Sequence, residues 1–258
     1  MILTGRKISQ GKSQGRVLLC PNPVSFLGGV SPADGKVSDA SVNGQSATGR
    51  VFAFPRGKGS TVGSYVIMDM KQHGTLPAAI INESAEPIVA TGAVMASVPM
   101  VDSIDLSLLR EGDECIVNGS AGTVELPNVK EINVVSCVIK DGEKILFLRR
   151  SSKVGTFQGY WSAVSGFIEI NETPLETAIK EVREETTLIS KPVKVGEPFK
   201  IRDKDIVWVI HPFLFEEKNC SIQIDWEHTE YKWVCVEETA SYQCVPGLDI
   251  VYKHLHLI

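Results

Sequence analysis

The six cysteines of this 258-residue sequence have no two-residue spacing and no histidine partner at metal-ligand distance. That pattern argues against a zinc or iron–sulfur centre built from this chain alone and points to reduced, half-buried core thiols. Charge of one sign is equally scarce. There are 26 Lys+Arg against 31 Asp+Glu, a net charge of −5, and no basic run. Nucleic acid and anionic membrane surfaces are therefore not the expected partners. Long apolar runs are missing too. The longest weakly polar stretch, Ile88 to Val101, contains Thr91, Gly92, Ser97 and Pro99 and is too short to span a bilayer. The opening residues lack a charged segment followed by an apolar core, so the expectation is no secretory signal and a cytoplasmic protein. No internal repeat or low-complexity tract is visible.

What is present is unevenly distributed. Of the 22 glycines, 16 precede Asn128 and 6 follow it, whereas 4 aromatics precede it and 14 follow, including all four tryptophans. Two domains are expected, 1–128 and 129–258. The first reads as short strands, Arg16–Cys20, Gly49–Phe54, Tyr65–Met68 and Ala78–Ile81, separated by turn clusters at Gly28-Gly29, Pro32–Gly35 and Val42–Gly44.

Between two of those strands runs Phe54-Pro-Arg-Gly-Lys-Gly-Ser-Thr-Val-Gly-Ser-Tyr65. Gly57, Gly59 and Gly63 allow close backbone approach to a ligand, and successive N–H groups can hold a phosphate or carboxylate. Arg56 and Lys58 would add charge, with Ser60 and Thr61 at a helix start and Ser64 just beyond. On spacing alone a surface turn with incidental glycines stands beside that reading. The segment does not fit the P-loop pattern.

Together with Val24–Val30, Pro77–Ile81, Glu86–Ala90 and Val98–Asp102, this segment resembles the aconitase X swivel domain. The order and spacing are most similar to the small subunits of archaeal phosphomevalonate dehydratases. The resemblance implies a swivelling β/α, barrel-like domain that closes over a separate large subunit carrying an iron–sulfur cluster, as a heterodimer. It implies dehydration of (R)-5-phosphomevalonate to trans-anhydromevalonate 5-phosphate, with Ser60 as proton acceptor. Arg56, Gly57, Lys58, Gly59, Thr61, Gly63 and Ser64 would then bind substrate. A serine can act as base only where N–H dipoles and cations stabilise its alkoxide, which such a loop supplies. Ser31 stands where an acidic residue is expected, and dehydration of another hydroxy acid remains an alternative.

From Val129 the pattern changes to longer, aromatic-rich strands: Ile132–Ile139 and Lys144–Leu148 as a hairpin with an Asp-Gly turn, then Ile206–Ile210, His211–Phe215 and Tyr231–Val236. Thr173-Pro-Leu-Glu176 combines a capping box with proline at the first helical position. Leu175, Ala178, Ile179 and Val182 define the expected buried stripe, and Glu181, Glu184 and Glu185 are expected off it on one face. A hard divalent cation would relieve their repulsion; a solvated acidic face is the alternative. Trp161 is expected in the core, and Arg149, Arg150, Lys153, Glu227 and Glu230 are candidates for further contributions.

Gly166, Glu172 and Lys180-Glu-Val-Arg-Glu-Glu-Thr-Thr-Leu188 at these spacings resemble the Nudix box. That resemblance implies an α/β/α sandwich with a mixed sheet, in which Mg²⁺ or Mn²⁺ activates a water that cleaves a phosphoanhydride. Glu184 and Glu185 would be metal ligands, Glu181 a ligand or water-orienting base, and Gly166, Glu172 and Lys180 support. Lys180 replaces an arginine and Thr187 a glycine. A non-catalytic domain that senses a phosphorylated ligand, and a homodimer through this domain, stay open as alternatives.

Overall fold

A computed structural model describes residues Met1–Ile258, which separate into two compact units, Met1–Lys130 and Glu131–Ile258. In the first, eight strands form one sheet: β1 (Ile2–Thr4), β2 (Arg6–Ser9), β3 (Lys12–Leu19), β4 (Val51–Phe54), β5 (Ala79–Asn82), β6 (Met100–Asp102), β7 (Glu114–Asn118) and β8 (Thr123–Glu125). Their order is β1-β8-β7-β3-β4-β5-β6-β2. Strands β3 to β6 run parallel, and antiparallel strands flank them on both sides. Every residue of β4 and β5 is buried, as a central parallel strand covered on its faces requires.

Two helices belong to this sheet, α1 (Gly63–His73) and α2 (Pro87–Ala96). The expected strand at Tyr65–Met68 is in fact part of α1. Its buried residues are Gly63, Ile67 and Met70, spaced four and three apart, and Tyr65 is 69% exposed. The local β propensity of Tyr-Val-Ile is overridden by that helical stripe. Helix α2 occupies most of the weakly polar stretch. Its start is fixed by Glu86, whose carboxylate accepts the N–H groups of Ile88 and Val89, both at 2.8 Å.

The second unit contains β9 (Lys130–Asp141), β10 (Lys144–Arg150), β11 (Trp161–Ser162), β12 (Val164–Phe167), β13 (Lys194–Val195), β14 (Phe199–Asp203), β15 (Ile206–Glu216) and β16 (His228–Cys235), with helices α3 (Pro174–Thr186) and α4 (Leu248–His254). The β9–β10 hairpin turns at Gly142 (φ 59°) and pairs for two residues on each side. Beyond them β12 takes over the edge of β9. The two segments expected at 206–210 and 211–215 form one strand, β15; Pro212 does not break it.

Alternation along β9 sorts the core into two layers. Val135, Cys137 and Ile139 pack with Ala178 and Val182 of α3, while Val138 packs with Leu248, Val251 and Tyr252 of α4. The result is a sheet with a helix on each face. Trp161 lies in the α4-side core, stacked on Phe147 at 5.0 Å, with the Lys232 ammonium 4.9 Å over its ring.

Helix α3 begins as its sequence dictates. Thr173 and Glu176 form a reciprocal capping box, and Pro174 opens the helix. The buried face differs from the expected one. Leu175 is 45% exposed, and the stripe runs through Thr177, Ala178, Val182, Glu185 and Thr186. Glu185 therefore lies on the buried stripe, not off it. The helix ends at Thr187, which takes the left-handed conformation (φ 65°) otherwise favoured by glycine and donates its N–H to Arg183 O at 2.9 Å.

Candidate functional site

In the first unit the segment from Pro55 to Val62 leaves β4 at the C-terminal end of the parallel strands and enters α1. Its backbone is sewn to Val24, whose N–H donates to Arg56 O at 3.0 Å and whose carbonyl accepts from Lys58 N at 2.9 Å. Gly57 is buried, and a Cβ there would stand 2.3 Å from Glu86 Oε1. Gly59 has φ +109°, a conformation that glycine alone adopts readily. Gly63 is buried against Ile88 and Phe26. Gly57 and Gly63 thus press the backbone onto the start of α2, and the side chains of Arg56, Lys58, Ser60 and Thr61 stand exposed. Ser60 caps the turn into the helix, accepting Val62 N–H weakly at Oγ (3.4 Å) and Gly63 N–H at its carbonyl (2.9 Å). Ser64 is half-buried, its hydroxyl donating to Thr61 O at 2.9 Å.

Beneath this loop are two buried polar residues to which the sequence alone assigned no role. Asn82, the last residue of β5, donates to Phe54 O at 2.6 Å, and its Oδ1 has no partner. Asp102, the last residue of β6, accepts from Arg6 Nη2 at 2.6 Å and from Ala85 N at 2.9 Å. Burial pushes the Asp102 carboxyl up, but the Arg6 and Ala85 hydrogen bonds and the Arg6 charge together hold it below the usual range. The available signal was positional: each polar residue follows an apolar run at the C-terminal end of a parallel strand, where loops gather.

In the second unit the helix carboxylates are graded by depth: Glu184 is exposed, Glu181 half-buried and Glu185 buried at 2%. Burial, then the Glu184 charge, pushes Glu181 up to about 7. Burial, then the Glu181 charge, raises Glu185 further. Glu227 is raised by burial and then by Asp225. Lys180 offsets this group only in part: its charge lowers Glu181, but its ammonium pairs with Glu172 at 3.1 Å and Glu169 at 3.5 Å. Glu172 is held low by the Thr177 hydroxyl and then by Lys180, and it braces the segment leading into α3.

Gly166 on β12 has no room for a side chain, since a Cβ would lie 2.1 Å from Glu181 Cδ. Beside Glu181 opens a cavity of about 230 Å³, with Arg150 and Glu227 on its polar side and Phe157, Phe167 and Trp208 on its aromatic side. Glu230 is not part of it; it pairs with Arg149 at 3.2 Å. No three His, Cys, Asp or Glu side chains are gathered around a single point ready for a metal. The donor chemistry nonetheless fits a hard cation. It is all oxygen, with Glu181 and Glu185 raised by burial and then by a neighbouring carboxylate, and Glu185 Oε2 is buried without a hydrogen-bond partner.

The aconitase X swivel domain family matches residues 2–126, and the NUDIX domain family matches residues 130–255. The phosphomevalonate dehydratase small subunit of Thermococcus onnurineus is 54% identical over 128 residues, covering 49% of this chain and 98% of the relative. That of Methanocaldococcus jannaschii is 44% identical over 129 residues, covering 50% and 99%. Among solved structures, aconitase X of Thermococcus kodakaraensis covers 49% of this chain and 98% of its own at 50% identity (TM-score 0.48). A MutT protein from Methanosarcina mazei covers 50% and 95% at 22% identity (TM-score 0.44). Two classes of domain are thus joined in one chain, a swivel domain and a Nudix domain. The chain belongs to the aconitase X swivel family, with phosphomevalonate dehydratase small subunits as its relatives, and carries a NUDIX domain as its second half. These relationships make it an enzyme. No helix is long and apolar enough to cross a membrane.

Proposed function

We propose that the first unit is the small subunit of a phosphomevalonate dehydratase and that the second is a Mg²⁺- or Mn²⁺-dependent phosphoanhydride hydrolase. The observation that supports the first assignment is the construction of the Arg56–Ser64 loop. Gly57 and Gly63 are fixed against the fold, while the side chains of Arg56, Lys58, Ser60 and Thr61 are exposed and Ser60 Oγ has only a weak contact to Val62 N–H. A loop so arranged is one wall of a site that a separate large subunit would complete. In this reading Arg56, Lys58 and the N–H groups entering α1 hold the anionic substrate. Ser60 takes the proton from the carbon beside the carboxylate as the hydroxyl departs from the neighbouring carbon. The large subunit's iron–sulfur cluster would supply the Lewis acid for that hydroxyl.

For the second unit the supporting observation is the partly buried carboxylate group, with no cation in ion-pair contact with Glu181 or Glu184, beside a cavity that also contains Arg150. Glu181, Glu184 and Glu185 would hold the metal, which supplies charge neutralisation and activation of water. Glu181 orients that water, Arg150 faces the substrate phosphates, and the aromatic side receives the group attached to them.

The test is affinity capture of the tagged chain from its host, with mass spectrometry and iron analysis, then assay of the complex with 5-phosphomevalonate. Recovery of an iron-containing aconitase-like partner with dehydratase activity supports the reading, and capture of no such partner overturns it. Assay against a second hydroxy acid separates substrate alternatives. For the hydrolase, Mg²⁺-dependent release of phosphate or pyrophosphate that disappears in Glu185→Gln is expected. Ligand binding with no turnover would identify a sensor instead.

A further inference from the structure

His228 opens β16 opposite Arg150, where the β10–β16 register shifts at a bulge between Arg149 and Arg150. Its side chain is completely buried, and carboxylates face both ring nitrogens. Nδ1 lies 3.1 Å from Asp225 Oδ1 and Nε2 lies 3.7 Å from Glu185 Oε2. Asp225 is itself held, with its Oδ1 accepting the Glu227 N–H at 3.1 Å. The other Glu185 oxygen accepts the Ser165 N–H at 3.3 Å. Nε2 of His228 and Oε2 of Glu185 are both shut off from solvent, and neither has a hydrogen-bond partner.

Two orphaned atoms that face each other are best explained as a pair. A movement of under about 1 Å closes one hydrogen bond between them, and whichever atom carries the proton, both are satisfied. A ring serving only to fill the core would not need a carboxylate against each nitrogen. Nor would it need a bulge, a device that re-aims side chains beside functional sites.

We propose that His228, anchored by Asp225, is a positioning residue that fixes the Glu185 carboxylate for a divalent cation held by Glu185 and Glu181. This rests on the hydrolase reading of the second unit. Glu185 carries a long side chain from the last turn of α3, and the Ser165 N–H restrains only one of its oxygens. His228 restrains the other, in the manner of outer partners that orient metal-ligating groups.

The experiment titrates the full chain with Mn²⁺, reading free Mn²⁺ by electron paramagnetic resonance, and separately records the melting temperature of the metal-free protein. His228→Leu should weaken Mn²⁺ binding about 10- to 100-fold. Its metal-free melting temperature reports the structural part of the change separately, because the substitution also removes the Asp225 hydrogen bond and leaves Glu185 Oε2 buried against an apolar side chain. His228→Gln, with an amide that can reach Glu185, should recover part of the affinity, and Asp225→Asn should weaken it by a smaller factor. Unchanged Mn²⁺ affinity in His228→Leu with a lower metal-free melting temperature would make His228 a structural residue and overturn the proposal. If His228→Leu does not fold, the affinities of the Gln and Asn variants decide in the same way. A wild-type chain that binds no Mn²⁺ at millimolar concentration would overturn this proposal and the metal-hydrolase reading together. Wild-type binding with unaffected variants overturns this proposal alone.

Discussion

At Gly166 a single methyl group would occupy space already filled by the Glu181 carboxyl. Gly166→Ala should therefore displace Glu181 and cost about 1–3 kcal/mol, the usual range for overpacking. Denaturant unfolding gives the stability, and Mn²⁺ affinity should fall in the same variant. Ser60 makes the contrasting case, because it is exposed and weakly bonded. Ser60→Ala should leave stability and partner capture intact, while the rate of dehydration by the assembled complex falls about 10²- to 10⁴-fold, as loss of a general base predicts. A variant complex that retains its rate would remove Ser60 from the mechanism. Asp102 carries a pH signature. Its carboxyl is held below the unfolded value, so the Arg6 pair stabilises the first unit above about pH 4 and that contribution is lost as pH falls through the lowered value. In Arg6→Gln the buried carboxylate loses its cation and its pKa rises. The variant should be less stable than wild type at pH 7 and lose less on acidification, which thermal melts from pH 7 to pH 3 would measure.

At the scale of the element, helix α3 was legible at its start and misjudged along its face. The capping box at Thr173 and Glu176 is a local signal, complete within four residues, and it forms as read. The buried face depends on what the sheet presents. Val135, Cys137 and Ile139 select Ala178 and Val182, while Leu175 lies one turn too early to reach them. The same packing draws Glu185 inward, a placement that charge alone argues against. Helix α1 failed for a related reason: Tyr65, Val66 and Ile67 favour strand locally, and only the sheet beneath shows that Gly63, Ile67 and Met70 form the inner face. The role of Asn82 was invisible because its partner, Phe54 O, lies 28 residues away. Thr187 gives this scale its own prediction. A threonine in the left-handed region is strained by about 1–2 kcal/mol, and Thr187→Gly releases that strain while raising the entropy of the unfolded chain. The net gain should be up to about 1 kcal/mol, read as a higher denaturant midpoint for the second unit. A lower midpoint would mean that the Thr187 hydroxyl, which donates to Thr186 O at 2.6 Å, outweighs the strain.

For the whole molecule, the two units have separate hydrophobic cores. One is built on β3 to β6 with Ile67, Met70 and Val89, and the others lie on the two faces of the second sheet with Val182 and Val251. Ligands of the two proposed activities should therefore register on different unfolding transitions. A ligand that binds only the folded state stabilises it by RT ln(1 + [L]/Kd), about 2.7 kcal/mol at a hundredfold excess over Kd. Calorimetry of the full chain should resolve two transitions, and Gly166→Ala should identify the second unit's by lowering it alone. Mg²⁺ should raise that transition and leave the other in place, and a chelator should reverse the shift. Adding the large subunit should raise the first unit's transition. The metal effect should grow as pH rises through about 7, since the cation has to displace protons from carboxyl groups that burial has raised. A shift of both transitions by Mg²⁺ alone would show that the units are coupled energetically. A shift of neither would remove the metal centre from the second unit and leave its cavity to a metal-independent ligand.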